Sequence, residues 1–171
     1  MNRDQRIADL TELLTQLGAP DPAAWARSEV EEELPQLARY LFLTHAWRHV
    51  VDEGDESWID AWLEEAERQP RAPGAAIGPA LRRLLAGGAA RSDLTDLVRV
   101  MQYSVLFNLC LLVDDPPPAI ETISGQQWAL VEVDQEGTVG RHIAGLHDSL
   151  LETDPTGREM RPQSEDDGAL P

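Results

Sequence analysis

Lysine is missing from this sequence, because all 14 basic residues are arginine. Mechanisms that need a lysine amine are therefore excluded, including Schiff-base chemistry and the phosphate-binding lysine of a P-loop. Cysteine is nearly absent as well, since Cys110 is the only one. A single thiol excludes a disulfide framework and a cysteine-based zinc site, and it favours a reducing cytoplasm as the location.

Positive charge is scarce throughout the chain. The 31 acidic residues against 14 arginines give a formal net charge of -17. Nucleic-acid binding depends on cations that displace phosphate counterions, so this balance argues against a nucleic-acid partner. It also disfavours an anionic membrane surface. We expect instead a partner protein with a basic surface.

Long apolar runs are scarce too. The most apolar segment, residues 100–113, is short for a membrane span and contains Gln102, Ser104 and Asn108. The first residues, MNRDQRIADL, carry charges where a signal peptide would be apolar, so we expect no secretion signal. These features predict a protein that does not associate with a membrane.

Helical periodicity dominates what is present. Apolar residues recur at helical spacing in six segments, at about 4–17, 22–34, 36–51, 57–69, 79–85 and 92–113. The period changes to two in WALVEVDQEGTVGRHI, which predicts a β-hairpin over residues 127–143. The sequence thus predicts a mainly α, single-domain helical bundle of five to six helices with a C-terminal β-hairpin packed against it. We expect the domain to cover residues 1–152 and residues 153–171 to form an acidic, flexible C-terminal tail.

The segment 92–113 gives the strongest helix signal. Six apolar residues fall on one stripe: Leu94, Val98, Met101, Val105, Leu109 and Leu112. From Val105 onward apolar residues cover nearly every side of the helix. This pattern predicts that the C-terminal half of the helix lies at the centre of the bundle.

Three side chains of the third predicted helix could bind a metal ion. His45, His49 and Asp52 are spaced by four and three residues, which places them on one helical face, and zinc or nickel accepts such ligands. The zincin pattern requires Glu directly after the first His, where this chain has Ala46. The apolar residues of the helix, among them Trp47, lie on the opposite side, so we expect exposed imidazoles and no bound cofactor. A metal-dependent enzyme at this site is the alternative hypothesis.

A second group of polar residues surrounds the hairpin. His142 and His147, with Asp148, could place two imidazoles at the junction between hairpin and helix, but no motif ties a nucleophile to them. Asp114 and Asp115 directly follow the long helix and could project into a cleft. For both groups packing or a polar helix end is the favoured interpretation, and we expect no catalytic residues.

The fourth predicted helix, SWIDAWLEEAERQ, carries two tryptophans beside acidic residues. Large aromatic side chains with a polar rim are typical of partner surfaces, so Trp58, Trp62, Glu64 and Glu65 are the predicted partner-binding residues. Together with the charge, they favour a non-catalytic protein-interaction module. One form of it would be an immunity- or inhibitor-type protein that masks the basic site of its partner.

Overall fold

The structure, a computed structural model, describes residues 2–115 and 128–162. These residues are mainly helical, with seven helices and a two-stranded antiparallel sheet near the C-terminus, which confirms the predicted helical bundle with a β-hairpin. The elements in chain order are α1 (Arg3–Leu17), α2 (Pro22–Glu31), α3 (Gln36–Trp47), α4 (Ser57–Arg68), α5 (Ile77–Ala86), α6 (Arg91–Asp114), β1 (Leu130–Val133), β2 (Val139–Ile143) and α7 (Leu146–Ser149).

The contacts among the described residues divide them into two compact units. Residues 2–48, 106–115 and 128–162 belong to the terminal unit, and residues 49–105 form the central unit. Helix α6 contributes its first fifteen residues, 91–105, to the central unit and its last nine, 106–114, to the terminal unit. The C-terminal part of the predicted tail, residues 163–171, lies outside the described residues.

The terminal unit begins with α1 and α2, whose ends follow from local sequence. Gly18 closes α1 in the left-handed conformation (φ +83°), which a residue without a Cβ adopts at little cost. Asp21 caps α2 by accepting the Ala24 backbone N–H at 3.0 Å, and Pro22 occupies the first helical turn. The core between these helices and α3 contains Leu14, Ala19, Trp25, Ala26 and Tyr40.

The hairpin joins the terminal unit through Arg141. Strands β1 and β2 pair antiparallel, with Leu130 opposite Ile143. Arg141 donates to Glu132 on the partner strand and to the buried Glu29 of α2, at 2.7 and 2.6 Å. Glu29 also accepts the Leu37 backbone N–H at 2.7 Å. The hairpin is therefore bonded to the helices, as predicted.

The central unit is built on the crossing of α4 and α5. Its core contains Ile59 of α4, Leu81 of α5 and Leu94 of α6. The two helices come close at Gly78, where an added Cβ would lie 2.5 Å from the Cβ of Ala66. Only a glycine permits this approach.

Two helices end at least three residues earlier than predicted, and the first of them is α2, which ends at Glu31 where the sequence predicts residue 34. Helix α3 ends at Trp47, whereas the sequence predicts a helix to Val51. Val51 instead lies in a loop, where its N–H donates to the Gln102 side chain at 2.7 Å and its carbonyl accepts from Arg99 at 2.7 Å. These partners lie far away in sequence, so the local pattern of residues 36–51 contains no sign of them.

Candidate protein-docking surface

The side of α6 that packs inside the central unit carries polar residues beside the core residue Leu94. Thr95 and Arg99 are both buried there. Thr95 accepts the indole N–H of Trp58 at 3.0 Å and donates to the Asp55 carbonyl at 3.2 Å. Arg99 and Gln102 hold the loop at Val51. Buried backbone groups of a loop need such partners, and α6 supplies them.

The opposite side of α6 is apolar and faces solvent. Leu97, Val100, Met101 and Val105 are each more than half exposed, between 52% and 60%. We call these four residues the α6 docking face. Leu109 and Leu112, later in the same helix, are exposed as well. The prediction that the C-terminal half of this helix lies at the centre of the bundle is therefore wrong.

The hydrogen bonds of the central unit account for the orientation of the first part of α6. Rotating the helix to bury Leu97, Val100 and Met101 would break the bonds of Arg99 and Gln102 to the Val51 backbone. A buried polar group without a partner costs about 1–3 kcal/mol, comparable to the gain from burying one aliphatic side chain. Arg99 and Gln102 accordingly lie on the side of α6 that packs against the Val51 loop.

Acidic side chains precede the α6 docking face. Asp93 and Asp96 are exposed and lie four residues before Leu97 and Val100, which places them one turn away on the same side of the helix. The surface thus combines an apolar patch with negative charge at its N-terminal end. Scattered exposed leucines are ordinary on a soluble protein, whereas a contiguous row on one helix is a candidate interaction site.

Helix α6 also has the length and composition to cross a membrane. It contains 24 residues, its most apolar window has a mean hydropathy of 1.4, and it is the one such helix among residues 2–115 and 128–162. The helix is longer than the apolar segment 100–113 that stands out in the sequence. Length and composition are weak evidence, because long helices of other proteins meet the same conditions.

The structure separates the two tryptophans of the predicted partner site. Trp58 is half-buried, and its indole is bonded to Thr95 inside the unit. Trp62 is 41% exposed and lines a cavity of about 180 Å³ together with Glu65 and Pro73. Glu65 pairs with Arg68, whereas Glu64 is exposed.

The three predicted metal ligands are all exposed. His45 is on α3, while His49 and Asp52 follow the end of that helix, so no single helical face carries all three. Trp47 and Val50 are buried, as the pattern predicts. Within the described part of the chain, no group of three His, Cys, Asp or Glu residues is arranged to hold a metal ion.

His147 and Asp114, which belong to separate segments of the sequence, form a pair in the terminal unit. Nδ1 of His147 lies 2.6 Å from Oδ2 of Asp114, and the His147 backbone N–H donates to the same oxygen at 2.9 Å. Asp148 contacts the other ring nitrogen at 3.3 Å. Burial, with a smaller effect of Asp114, raises the pKa of the Cys110 thiol to about 11, so this thiol is not an activated nucleophile. His142 is exposed on β2.

Comparison with protein families, curated proteins and solved structures returns no match. The α6 docking face was missed at the level of sequence, although one signal points to it. Thr95, Arg99 and Gln102 share a side of the helix, and three polar residues on one side of an otherwise apolar helix are candidates for a buried polar contact.

Proposed function

We propose that this chain is a non-catalytic protein-interaction module that binds a basic partner protein through the α6 docking face. The observation that carries this proposal is the row of four apolar side chains, each more than half exposed, beside Asp93 and Asp96. An apolar centre with a polar rim is the composition of a protein interface. The proposed location is the cytoplasm.

The charges define the chemistry of the partner. A segment that fits the α6 docking face has apolar residues for Leu97 and Met101 and arginine or lysine residues that reach Asp93 and Asp96. An amphipathic helix with basic residues at its ends has this pattern. The net charge of -17 would steer such a partner toward the chain and would repel acidic proteins. An immunity- or inhibitor-type protein that masks a basic site is one protein of this kind.

The proposed partner-binding residues also include Trp62 and Glu64 of α4, in the central unit. Trp62 is the exposed member of the tryptophan pair, and Glu64 is an exposed acid on the same helix. Trp58 donates its indole N–H to Thr95 and so joins α4 to α6, whereas Glu65 pairs with Arg68 within α4.

A protein partner is favoured over a membrane for two reasons. Inserting α6 into a bilayer would remove Arg99 and Gln102 from the Val51 loop, leaving a charged side chain and backbone groups without partners. The acids Asp93 and Asp96 and the overall charge would also be repelled by anionic lipid headgroups.

A pair of synthetic peptides tests the proposal. Both are amphipathic helices with leucines along one face, and one carries arginines at its ends where the other carries glutamates. We expect the basic peptide alone to bind, and to bind more weakly as salt is raised. Replacing Leu97 and Met101 together by Asp should weaken binding at least tenfold, or about 1.4 kcal/mol, by calorimetry.

A matched control keeps the result specific. Leu84→Asp introduces the same change at an exposed leucine of α5 in the same unit. It should leave binding unchanged. Equal binding of both peptides, equal loss in the Leu84→Asp variant, or binding of anionic vesicles in place of either peptide would each contradict the proposal.

A further inference from the structure

Arg39 of α3 is a half-buried arginine that forms no ion pair with a carboxylate of residues 2–115 and 128–162. Its one hydrogen bond within the described residues goes to the Ser149 hydroxyl at 3.4 Å, which is long. Its Nε is buried and has no partner among the described residues. Burial lowers the pKa of Arg39, an effect that Asp114, Asp148 and Glu152 oppose from a distance. Arg39 therefore has guanidinium donors that are available to the carboxylate of a ligand.

Arg39 lines an open, polar cavity of about 270 Å³ at the surface of the terminal unit. The cavity lies beside α2, α3 and α7 and is lined by Asp21, Ala24, Trp25, Ser28, Gln36, Arg39, Ser149 and Glu152. We call it the Arg39 cavity. Ligand sites for drug-sized molecules span roughly 300–1,000 Å³, so this volume suits a smaller ligand.

Gln36 provides a second, independent sign of a binding site. Its side chain is 9% exposed, and its Nε2 donates to the Ser28 hydroxyl at 2.8 Å. Its Oε1 is buried and has no partner in the described part of the chain. The two residues that carry unpartnered polar atoms, Gln36 and Arg39, therefore both line the same cavity. Native proteins leave few such groups unpaired without a reason.

The opposite charge is also present at the cavity. Asp21 accepts the Ala24 N–H at the start of α2, and Glu152 accepts the Trp25 indole N–H at 2.9 Å. Each carboxylate can accept further hydrogen bonds. The cavity thus presents one cation and two anions to a small ligand.

We propose that the Arg39 cavity binds a small zwitterion of the amino-acid class. The guanidinium of Arg39 takes the ligand carboxylate, for which its planar fork of donors is suited. Asp21 and Glu152 take the ligand ammonium group, and Gln36 and Ser149 supply neutral polar contacts. This site is separate from the α6 docking face and does not depend on the proposed protein partner.

NMR titration of the full-length protein tests the proposal, with the Trp25 indole N–H as the reporter because it is bonded to Glu152. L-alanine is the probe. Acetate carries only the carboxylate group of L-alanine, and methylammonium carries only its ammonium group. We expect a saturable shift with L-alanine at a Kd of about 1 mM or tighter, and at least tenfold weaker binding of acetate and methylammonium. Acetate binding as tightly as L-alanine, or no saturable shift with L-alanine, would overturn the zwitterion assignment.

Three variants define the site. Arg39→Gln should abolish saturation, while Arg27→Gln, which removes an exposed arginine of α2, should not. Glu152→Gln keeps an acceptor for the Trp25 indole N–H and removes one negative charge. It should therefore weaken the binding of L-alanine at least threefold and leave the binding of acetate unchanged. If Arg39→Gln fails to fold, Glu152→Gln tests the site by itself. Unchanged L-alanine binding in Glu152→Gln, or in a folded Arg39→Gln, would overturn the proposal.

Discussion

Glu29 joins three segments of the terminal unit through one buried carboxylate. It accepts the Leu37 N–H at the start of α3 and the Arg141 guanidinium of β2 while it sits on α2. A hairpin alone is marginal in water, so this bond contributes to holding β1 and β2 in place. Arg141 also lowers the pKa of Glu132. That lowering stabilises the fold at neutral pH, and the contribution is lost as acid protonates Glu132 in the folded state.

Replacing Glu29 by Ala should therefore destabilise the protein. It leaves the Leu37 N–H without a partner and removes one carboxylate from Arg141, so we expect a loss of about 2 kcal/mol in the free energy of unfolding. Glu31→Ala is the matched control, because Glu31 on the same helix makes an exposed pair with Arg3. It should change stability by no more than about 0.5 kcal/mol. Urea denaturation measures both, and equal losses would contradict the role of Glu29.

Cys110 should be slow to react in the folded protein. Its pKa of about 11, against an ordinary value of 9.0, leaves roughly a hundredfold less thiolate at pH 8. The unfolded thiol ionises first as pH rises from 9 to 11, so folding stability should fall over that range.

Alkylation by iodoacetamide measures this prediction directly, because the chain has one thiol. The folded protein should react at least a hundredfold more slowly at pH 8 than the same protein in urea. Equal rates in the two states would show that the thiol is accessible and ionised, contrary to its burial.

The contact between α4 and α5 depends on the absence of one methyl group. Gly78→Ala would place a Cβ 2.5 Å from that of Ala66, and overpacking of this kind costs about 1–3 kcal/mol. The gain in helix propensity, up to about 1 kcal/mol, offsets only part of it. Pairing it with Ala66→Gly removes the clash, so the double variant should be more stable than the sum of the two single changes predicts, by urea denaturation. Strict additivity would contradict the close approach.

Capping residues in the sequence predicted the helix ends that depend on neighbouring residues alone. Gly18 and the Asp21-Pro22 pair closed α1 and opened α2 where expected. The end of α3 and the orientation of α6 were not predictable in this way, because both depend on Arg99 and Gln102 bonding a loop about fifty residues earlier. Hydrophobic periodicity describes which residues share a face, and it does not say which face is buried.

The candidate sites show the same limit. Asp114 and His147 each stood out in the sequence, but their pairing across 33 residues follows from the fold. Trp58 and Trp62 look equivalent at helical spacing, and only Thr95 distinguishes the bonded ring from the exposed one. The Arg39 cavity could not be predicted, since its lining comes from positions 21–39 and 149–152.

At the scale of the whole molecule, net charge and the α6 docking face act together. In the proposed function, the charge of -17 would steer a basic partner over distance, and the apolar face would supply the short-range contact. Exposed acids next to apolar side chains would also discourage two copies from pairing, because like charges would meet. The proposal therefore favours a partner of opposite charge over a second copy of the chain.

Site-specific photo-crosslinking in the cells that make the protein tests this account most directly. A benzoylphenylalanine in place of Val100 should crosslink to a basic protein, at an apolar segment flanked by arginine or lysine. Adding Leu97→Asp should abolish that product, and the probe placed instead at the exposed Arg71 of the same unit should not give it. Crosslinks from position 100 to lipid, to a second copy of the chain, or to the same proteins that position 71 reaches would contradict the account.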